Sequence, residues 1–467
     1  MTMNSNEWAI WRLDQKINRA GLPIDLGLVH AAIAIDTDHR ERLTARAAEL
    51  MGIDNVNSRD QFIEWLAGED VEVVTLRKAD VAAMLDQEYP ENVVEALQIR
   101  AELSKSSTKK YYSLADATGT DGRLRGCFQF NGAARTARWA GRLFQPQNLP
   151  RGNVKPEHID TAREVVATGD YEFTSAMFGG VGDLLASCIR TVIAAPKGKQ
   201  LVVADYSSIE TVMIAWAAQC PALLAVFREG RDAYKDMAVR LFKVPYDKVT
   251  KAQRTYTKPI VLGCGYMLGA KGLVAYAQGY GVTMTEDEAA AAVRAYREGY
   301  PEVVTFWHTL DRAAKHVIAN PGKVAKVGRF AFKVEGEFLF LKLPSGRKLA
   351  YHKPEIDPNG RYGPEITYMG VEFGHKWDRQ STHPGKITEN IIQAVARDLL
   401  VEGLLNTDAD GGLEIVGHVH DEILALADEN DTTAVDRLIA AMCKLPAWAA
   451  DAPVGAAGWA GPYYKKD

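Results

Sequence analysis

Cysteine is scarce in this chain: five residues in 467 (Cys127, Cys188, Cys220, Cys264 and Cys443), an odd count with no CxxC pair. That excludes a disulfide framework and a structural zinc site built on cysteine pairs, and it fits a reducing compartment. Long apolar runs are missing as well. No stretch approaches the roughly 18 uninterrupted apolar residues of a membrane span. Residues 1–14 lack the apolar core of a signal peptide, so a cytoplasmic protein with no membrane partner is expected. Internal repeats and low-complexity segments are absent. So is a basic excess, the formal net charge being −5. The sum does not exclude a nucleic-acid partner, because a metal site needs acids where a nucleic-acid path needs only local cations. Such cations cluster at residues 105–110, 135–142 and 248–258, although any one cluster reads first as a solvated surface.

What is present describes a large interior: 47% hydrophobic and 25% charged residues, in a chain too long for one ordinary core. Residues 1–115 read as helices. Trp8, Ile10, Trp11, Leu13 and Ile17 keep helical spacing until Gly21-Leu22-Pro23. Ser58 with Gln61 predicts a capping box ahead of Phe62, Trp65 and Leu66. A third helix is expected from residue 90 to about residue 112. Its lysines and small hydroxyls at 105–110 suit either phosphate contact or the helix C-terminal dipole. Short extended pieces follow over 122–150, a strand over 199–210 and helices over 211–320. Alternating apolar residues over 323–374 predict strands with a turn at Pro344-Ser345-Gly346. A helix over 388–406 then leads to a strand pair within 414–424.

Three segments carry chemistry. The apolar run Leu201-Val202-Val203-Ala204 ends in Asp205, and Ile415-Val416-Gly417-His418-Val419 leads to Asp421. Alone, each aspartate reads as a turn cap. As ends of neighbouring strands they can clamp two divalent ions about 3.5–4 Å apart. Between them, Thr250 and Gln253 form a capping-box pattern, after which Arg254, Lys258, Leu262 and Tyr266 recur every fourth residue. An Arg/Lys pair one turn apart is ordinarily a solvated face, but it is also what grips a triphosphate. Pro259 lacks the N–H for the Thr255 carbonyl, so a kink is expected.

In this order, the segments at 203–210, 254–266 and 418–422 resemble motifs A, B and C of family A DNA polymerases, the DNA polymerase I type. The resemblance implies an α+β right-hand fold with a helical thumb (1–115), an antiparallel-sheet palm (116–214 and 366–467) and mainly helical fingers (215–365). It implies two magnesium ions, with manganese as a substitute, held by Asp205, Tyr206 and Asp421. Glu422 and Lys258 join the two aspartates as catalytic residues. Nucleotide contacts fall to Arg254, Lys258, Leu262, Tyr266, Tyr234 and Glu210, the last as the gate against a 2′-hydroxyl. Leu262 stands where the family has Phe or Tyr, and Tyr234 where cellular members often have His.

Thr136-Ala137-Arg138 and Gln147-Asn148-Leu149-Pro150 look like the family's Thr-Gly-Arg and Gln-Asn-Leu/Ile-Pro segments. Arg138 thereby takes the place of an arginine that reads minor-groove acceptors, with Arg190 near the same path. Gln393, His420, Lys105, Lys109 and Lys110 complete the expected DNA contacts. The wording of residues 139–150 is most similar to the bacteriophage branch. The implied activity is primer extension with dNTPs on a DNA template in phage replication, in the host cytoplasm and as a monomer. The related RNA polymerases are disfavoured by Glu210, and a nuclease by the Arg254/Lys258 grip. The exonuclease strand that relatives carry has only Asp36-Thr37-Asp38 as a lookalike, which reads as structural, so an exonuclease or processivity factor would be a separate partner. Purified protein with magnesium and no nucleotides is therefore expected to leave a mismatched primer intact on a denaturing gel. Shortening that survives loss of Asp205 and Asp421 would contradict this.

Overall fold

A computed structural model of the chain describes residues 5–53, 55–150, 152–360, 363–371 and 376–465. Four strands form the central sheet: β1 (Lys199–Tyr206), β2 (Glu414–Val419), β3 (Glu422–Asp428) and β4 (Ala456–Gly461). Their order is β2-β3-β1-β4, antiparallel throughout. Leu201 to Ala204 and Ile423 to Ala427 are buried without alternation. Such continuous burial requires cover on both faces, as their continuous apolar sequence implies. The Ala434–Cys443 helix packs on β1 and β4, and the Ser5–Ala20 helix lies against β2.

A second, six-stranded antiparallel sheet runs as a meander through Val324–Val327, Phe330–Glu335, Phe338–Lys342, Lys348–Asp357, Glu365–Val371 and Trp377–Thr382. Here burial does alternate: Phe330, Phe332, Leu339, Leu341, Leu349 and Tyr351 point inward, toward the Pro301–Ala319 helix that packs on this sheet. The strands expected over 323–374 reach residues 372–374, which lie outside the described residues. The division drawn at 365/366 runs within the fifth strand, so the last two strands continue the sheet that begins at Val324.

Seven α-helices, from Ile209–Ala218 to Pro301–Ala319, and one short 3-10 turn fill the interval between β1 and this meander. In the N-terminal region, the Leu26–Met51 helix starts at Asp25, whose carboxylate accepts the Leu28 N–H at 3.0 Å. It ends at Gly52 with φ 64°, a left-handed residue that glycine adopts without strain. Asp36 is buried inside this helix and paired with Arg40 at 2.8 Å, which accounts for it structurally. Residues 47–103 enclose a small core of their own, built on Phe62, Leu66, Val93 and Leu97.

Local expectations divide. The Thr250–Gln253 capping box forms, with Gln253 N–H on Thr250 Oγ1 at 3.2 Å and Thr250 N–H on Gln253 Oε1 at 2.9 Å. Ser58 does begin its helix, but its side chain makes no cap bond. The helix expected from residue 90 to about 112 is two, Glu91–Leu103 and Lys109–Ala117. Ser104 bonds back to the Ala101 carbonyl and Lys105 is drawn to Glu102 and to the distant Asp183, so side-chain bonds, local and long-range, win over helix continuation. Pro259 sits inside the Lys251–Cys264 helix, which is continuous through it.

The helix over 388–406 extends to Pro384–Asp410. Its start is pressed against the end of the Lys251–Cys264 helix: a Cβ on Gly385 would lie 2.2 Å from the Tyr266 carbonyl oxygen. Gly385→Ala is expected to push these elements apart and lower stability by about 1–3 kcal/mol, the usual cost of overpacking. Denaturant titration against the parent chain measures it, and an unchanged midpoint would contradict so close an approach.

Candidate functional site

The site begins with strand register. Glu422, first residue of β3, lies directly opposite Asp205 on β1 and pairs with Val419 on β2. The β2–β3 connection is therefore the two-residue turn His420-Asp421. His420 takes φ 58°, the positive value that tight hairpin turns demand. The Tyr206 N–H donates to the Asp421 carbonyl at 3.2 Å, stitching the turn to the end of β1. Three acidic residues, Asp205, Asp421 and Glu422, are thus brought to one corner of the sheet.

Like charges directly opposite on adjacent strands repel, so this corner favours a cation. Among the described residues no three His, Cys, Asp or Glu side chains are grouped so that together they could hold a metal ion. The donor set is open and made only of hard oxygens, which suits magnesium or manganese with water or phosphate oxygens completing the shell. Tyr206 offers only its backbone, since its buried phenol has its one proton to share between the Leu399 and Met442 carbonyls, 3.1 and 2.9 Å away.

Glu422 is buried and accepts the Tyr464 hydroxyl at 3.1 Å. Burial, then the Glu422 charge, raises the Tyr464 pKa and keeps that phenol a donor. Arg190 is buried behind it, with Nη1 3.4 Å from the Tyr464 oxygen and its other nitrogens on the Leu149 and Pro150 carbonyls at 2.6 and 3.1 Å. Arg190 thus braces the Gln-Asn-Leu-Pro segment against the carboxylate corner.

Past the end of β1, Glu210 stands in the first turn of the Ile209–Ala218 helix with both oxygens engaged. Arg138 Nη2 reaches one at 2.9 Å, and the Tyr266 hydroxyl donates to the other at 2.5 Å. The Tyr266 pKa is raised by burial first and by the Glu210 charge second, so its phenol remains protonated. Three expected site residues, far apart in sequence, meet in one hydrogen-bonded unit.

On the Lys251–Cys264 helix, Arg254 Nε pairs with Asp232 at 2.7 Å and its guanidinium lies 5.1 Å from the Tyr234 ring centre. Lys258 Nζ lies 5.7 Å from the Tyr280 ring, and Leu262 is half-buried one turn on. Thr257 fixes the helix face by donating to the Tyr234 carbonyl at 2.7 Å. Burial raises the Tyr234 pKa. Asp232, which caps the Ala233–Phe242 helix while holding Arg254, escaped the sequence reading; its N-cap place ahead of Tyr234 is the trace it leaves.

Of the remaining residues, His420 is exposed at the turn, and Gln393 Nε2 donates to Glu389 at 3.1 Å. Lys105 bridges Glu102 and Asp183, and Lys110 donates to the Phe144 carbonyl at 2.6 Å, while Lys109 faces solvent.

Arg397 was also missed. It is 2% exposed and lies 5.2 Å from the Trp139 ring. Trp139 in turn meets His418 at 4.7 Å, and His418 stacks on Phe128 at 4.6 Å. Burial, then the Arg397 and His420 charges, lowers the His418 pKa to about 3.

The sequence model of DNA polymerase family A matches residues 34–321. The DNA polymerase of Bacillus phage SP02 is 37% identical over 465 residues, 99% of this chain and 71% of that protein. The thermostable DNA polymerase I of Thermus aquaticus is 26% identical over 296 residues, 61% of this chain and 31% of that one. Among solved structures, the POL domain of Pol1 from M. smegmatis, in complex with DNA primer-template and dNTP, superposes with a TM-score of 0.68 at 20% identity, over 98% of this chain and 70% of that chain.

The neutral His418 sets a pH dependence. Its folded pKa lies below the unfolded value near 6.5, so the unfolded chain binds the proton first. The contribution is complete above pH 6.5 and is lost as pH falls toward 3, by on the order of 1 kcal/mol per unit. His418→Phe is expected to flatten stability between pH 6.5 and 4 relative to the parent, as measured by denaturant midpoints. Parallel curves would show that His418 does not titrate on unfolding.

Proposed function

The chain belongs to DNA polymerase family A, and on that premise we propose that it extends a primer 3′-hydroxyl with deoxynucleoside triphosphates on a DNA template, in phage replication. The observation that carries this reading is the register that sets Asp205 opposite Glu422 with Asp421 in the adjoining turn. Support for the substrates comes from the similar Pol1 domain, which binds DNA primer-template and dNTP, and for the phage role from the SP02 relative. Asp205, Asp421 and the Tyr206 backbone would hold the divalent ions, which when bound acidify the primer hydroxyl and neutralise the triphosphate.

The chain's own groups do the rest. Arg254 and Lys258 receive the triphosphate, and the charge that develops toward the leaving pyrophosphate meets cations already in place. Arg254 exchanges its bond to Asp232 for one to phosphate. Glu210, held on both oxygens, is a rigid wall beneath the sugar, and Leu262 gives the sugar an apolar contact. Arg138 lies beside that wall, where the terminal base pair offers minor-groove acceptors on every correct pair. Gln393, His420 and Lys109 track the DNA strands. Lys105 and Lys110 contact DNA only by giving up the internal partners described above.

Primer extension with dNTPs or rNTPs tests the assignment. Asp205→Ala and Asp421→Ala are each expected to lower dNTP incorporation by on the order of 10³-fold or more with primer-template affinity nearly intact. Glu210→Ala should raise ribonucleotide use relative to deoxynucleotide. Near-parent rates in either aspartate variant would overturn the reading.

A further inference from the structure

The loop that carries Arg138 joins a two-residue strand pair, Phe128–Gln129 with Ala140–Gly141, and turns through two left-handed residues, Asn131 at φ 51° and Ala137 at φ 61°. Asparagine tolerates that conformation, whereas alanine's Cβ does not sit easily in it. Ala137 directly precedes Arg138, so strain at this residue bears on where the Arg138 side chain is launched. Arg397 contacts both turning points. Its Nε donates to the Ala137 carbonyl at 3.2 Å and its Nη2 to Asn131 Oδ1 at 3.2 Å. The guanidinium is itself held by Glu7 at 3.3 and 3.4 Å and by Asp398 at 3.3 Å, and it packs on Trp139 and Phe130 from the same loop. A planar fork with several fixed donors suits such a task better than an ammonium does.

We propose that Arg397 is a positioning residue for the polymerase reaction: it clamps the loop over residues 131–137, holds Ala137 in its left-handed conformation and thereby keeps Arg138 on Glu210. Arg397 bonds to the loop at Ala137 and Asn131 and not to Arg138 itself, so its effect passes through the backbone. The inference rests on the reading of Arg138 and Glu210 given above.

The test combines Arg397→Lys with Ala137→Gly, because glycine adopts φ near 60° without the clamp. Single-nucleotide incorporation and thermal melting are measured on the same preparations. Displacement by about 1 Å costs on the order of 10²-fold, so Arg397→Lys should lower kcat by roughly 10- to 100-fold. Adding Ala137→Gly should restore about tenfold of that loss, whereas Ala137→Gly alone stays within about twofold of the parent. Ala137→Val, with Arg397 intact and the loop more strained, should lower kcat in the same way and serves if Arg397→Lys does not fold. A normal kcat per folded molecule in Arg397→Lys, a double variant with no recovery, or a normal kcat in Ala137→Val would each overturn the clamp. Arg138→Ala is measured alongside. Full activity there means that the underlying site reading fails, while impaired activity without recovery in the double variant means that the clamp alone fails.

Discussion

The antiparallel pairing of β1 with β3 is the constraint on which the rest of the structure depends. One register, Glu422 opposite Asp205, brings the first carboxylate of the site against the hairpin that carries the other two. Because side chains alternate faces with period two, a slip of one residue would send Asp205 and Glu422 to opposite sides of the sheet. The unbroken burial of Leu201 to Ala204 and Ile423 to Ala427 resists such a slip, since the flanking residues Lys199, Gln200 and Asp428 are unsuited to the interior. Apolar strand cores thus fix the position of acids that would repel one another on their own.

Around that corner the protein arranges groups whose charges are already matched. Glu210 meets Arg138 and Tyr266, Arg254 meets Asp232, and Glu422 meets Tyr464 backed by Arg190. The half-exposed Arg254–Asp232 pair contributes little to stability, so exchanging it for the proposed triphosphate contact would cost little. The Glu210 unit is more enclosed and has two donors, which fits a wall better than a moving part. Tyr266 links the wall to the end of the Lys251–Cys264 helix, and the close approach of Gly385 to Tyr266 links that helix to the long Pro384–Asp410 helix. A displacement of that helix would therefore reach Glu210 and the Pro384–Asp410 helix by contact.

Much of this was legible in the sequence, for identifiable reasons. Asp205 and Asp421 close long apolar runs, and a buried strand ending in a carboxylate needs no tertiary information to be noticed. The Thr250–Gln253 box is a strictly local signal, and it formed. Ser58 carried the same signal without the bond, which shows that the pattern marks a helix start more reliably than the bond itself. The helix over 90–112 was misread because propensity is additive along a window, while the break at 104–108 comes from Lys105 reaching Asp183, a partner 78 positions away. β4 went unseen: Ala456-Ala457-Gly458-Trp459-Ala460-Gly461 has almost no strand propensity, and it is a strand because β1 offers an open edge beside it. Arg397 and Tyr464 act through partners remote in sequence, and nothing in their immediate surroundings marks them, while Asp232 leaves only its N-cap place as a trace.

The central claim is that the β1–β3 register presents Asp205 and Asp421 as one ion-holding pair beneath a nucleotide gripped by Arg254 and Lys258. A crystal structure with a dideoxy-terminated primer, template, matched dNTP and manganese tests it most directly, because the anomalous signal locates the ions independently of the protein. The account predicts manganese shared between the Asp205 and Asp421 carboxylates, with Arg254 released from Asp232 onto the triphosphate and Glu210 still held by Tyr266 under the sugar. Manganese bound away from these two carboxylates, with the dNTP seated elsewhere than beside Arg254 and Lys258, would contradict it.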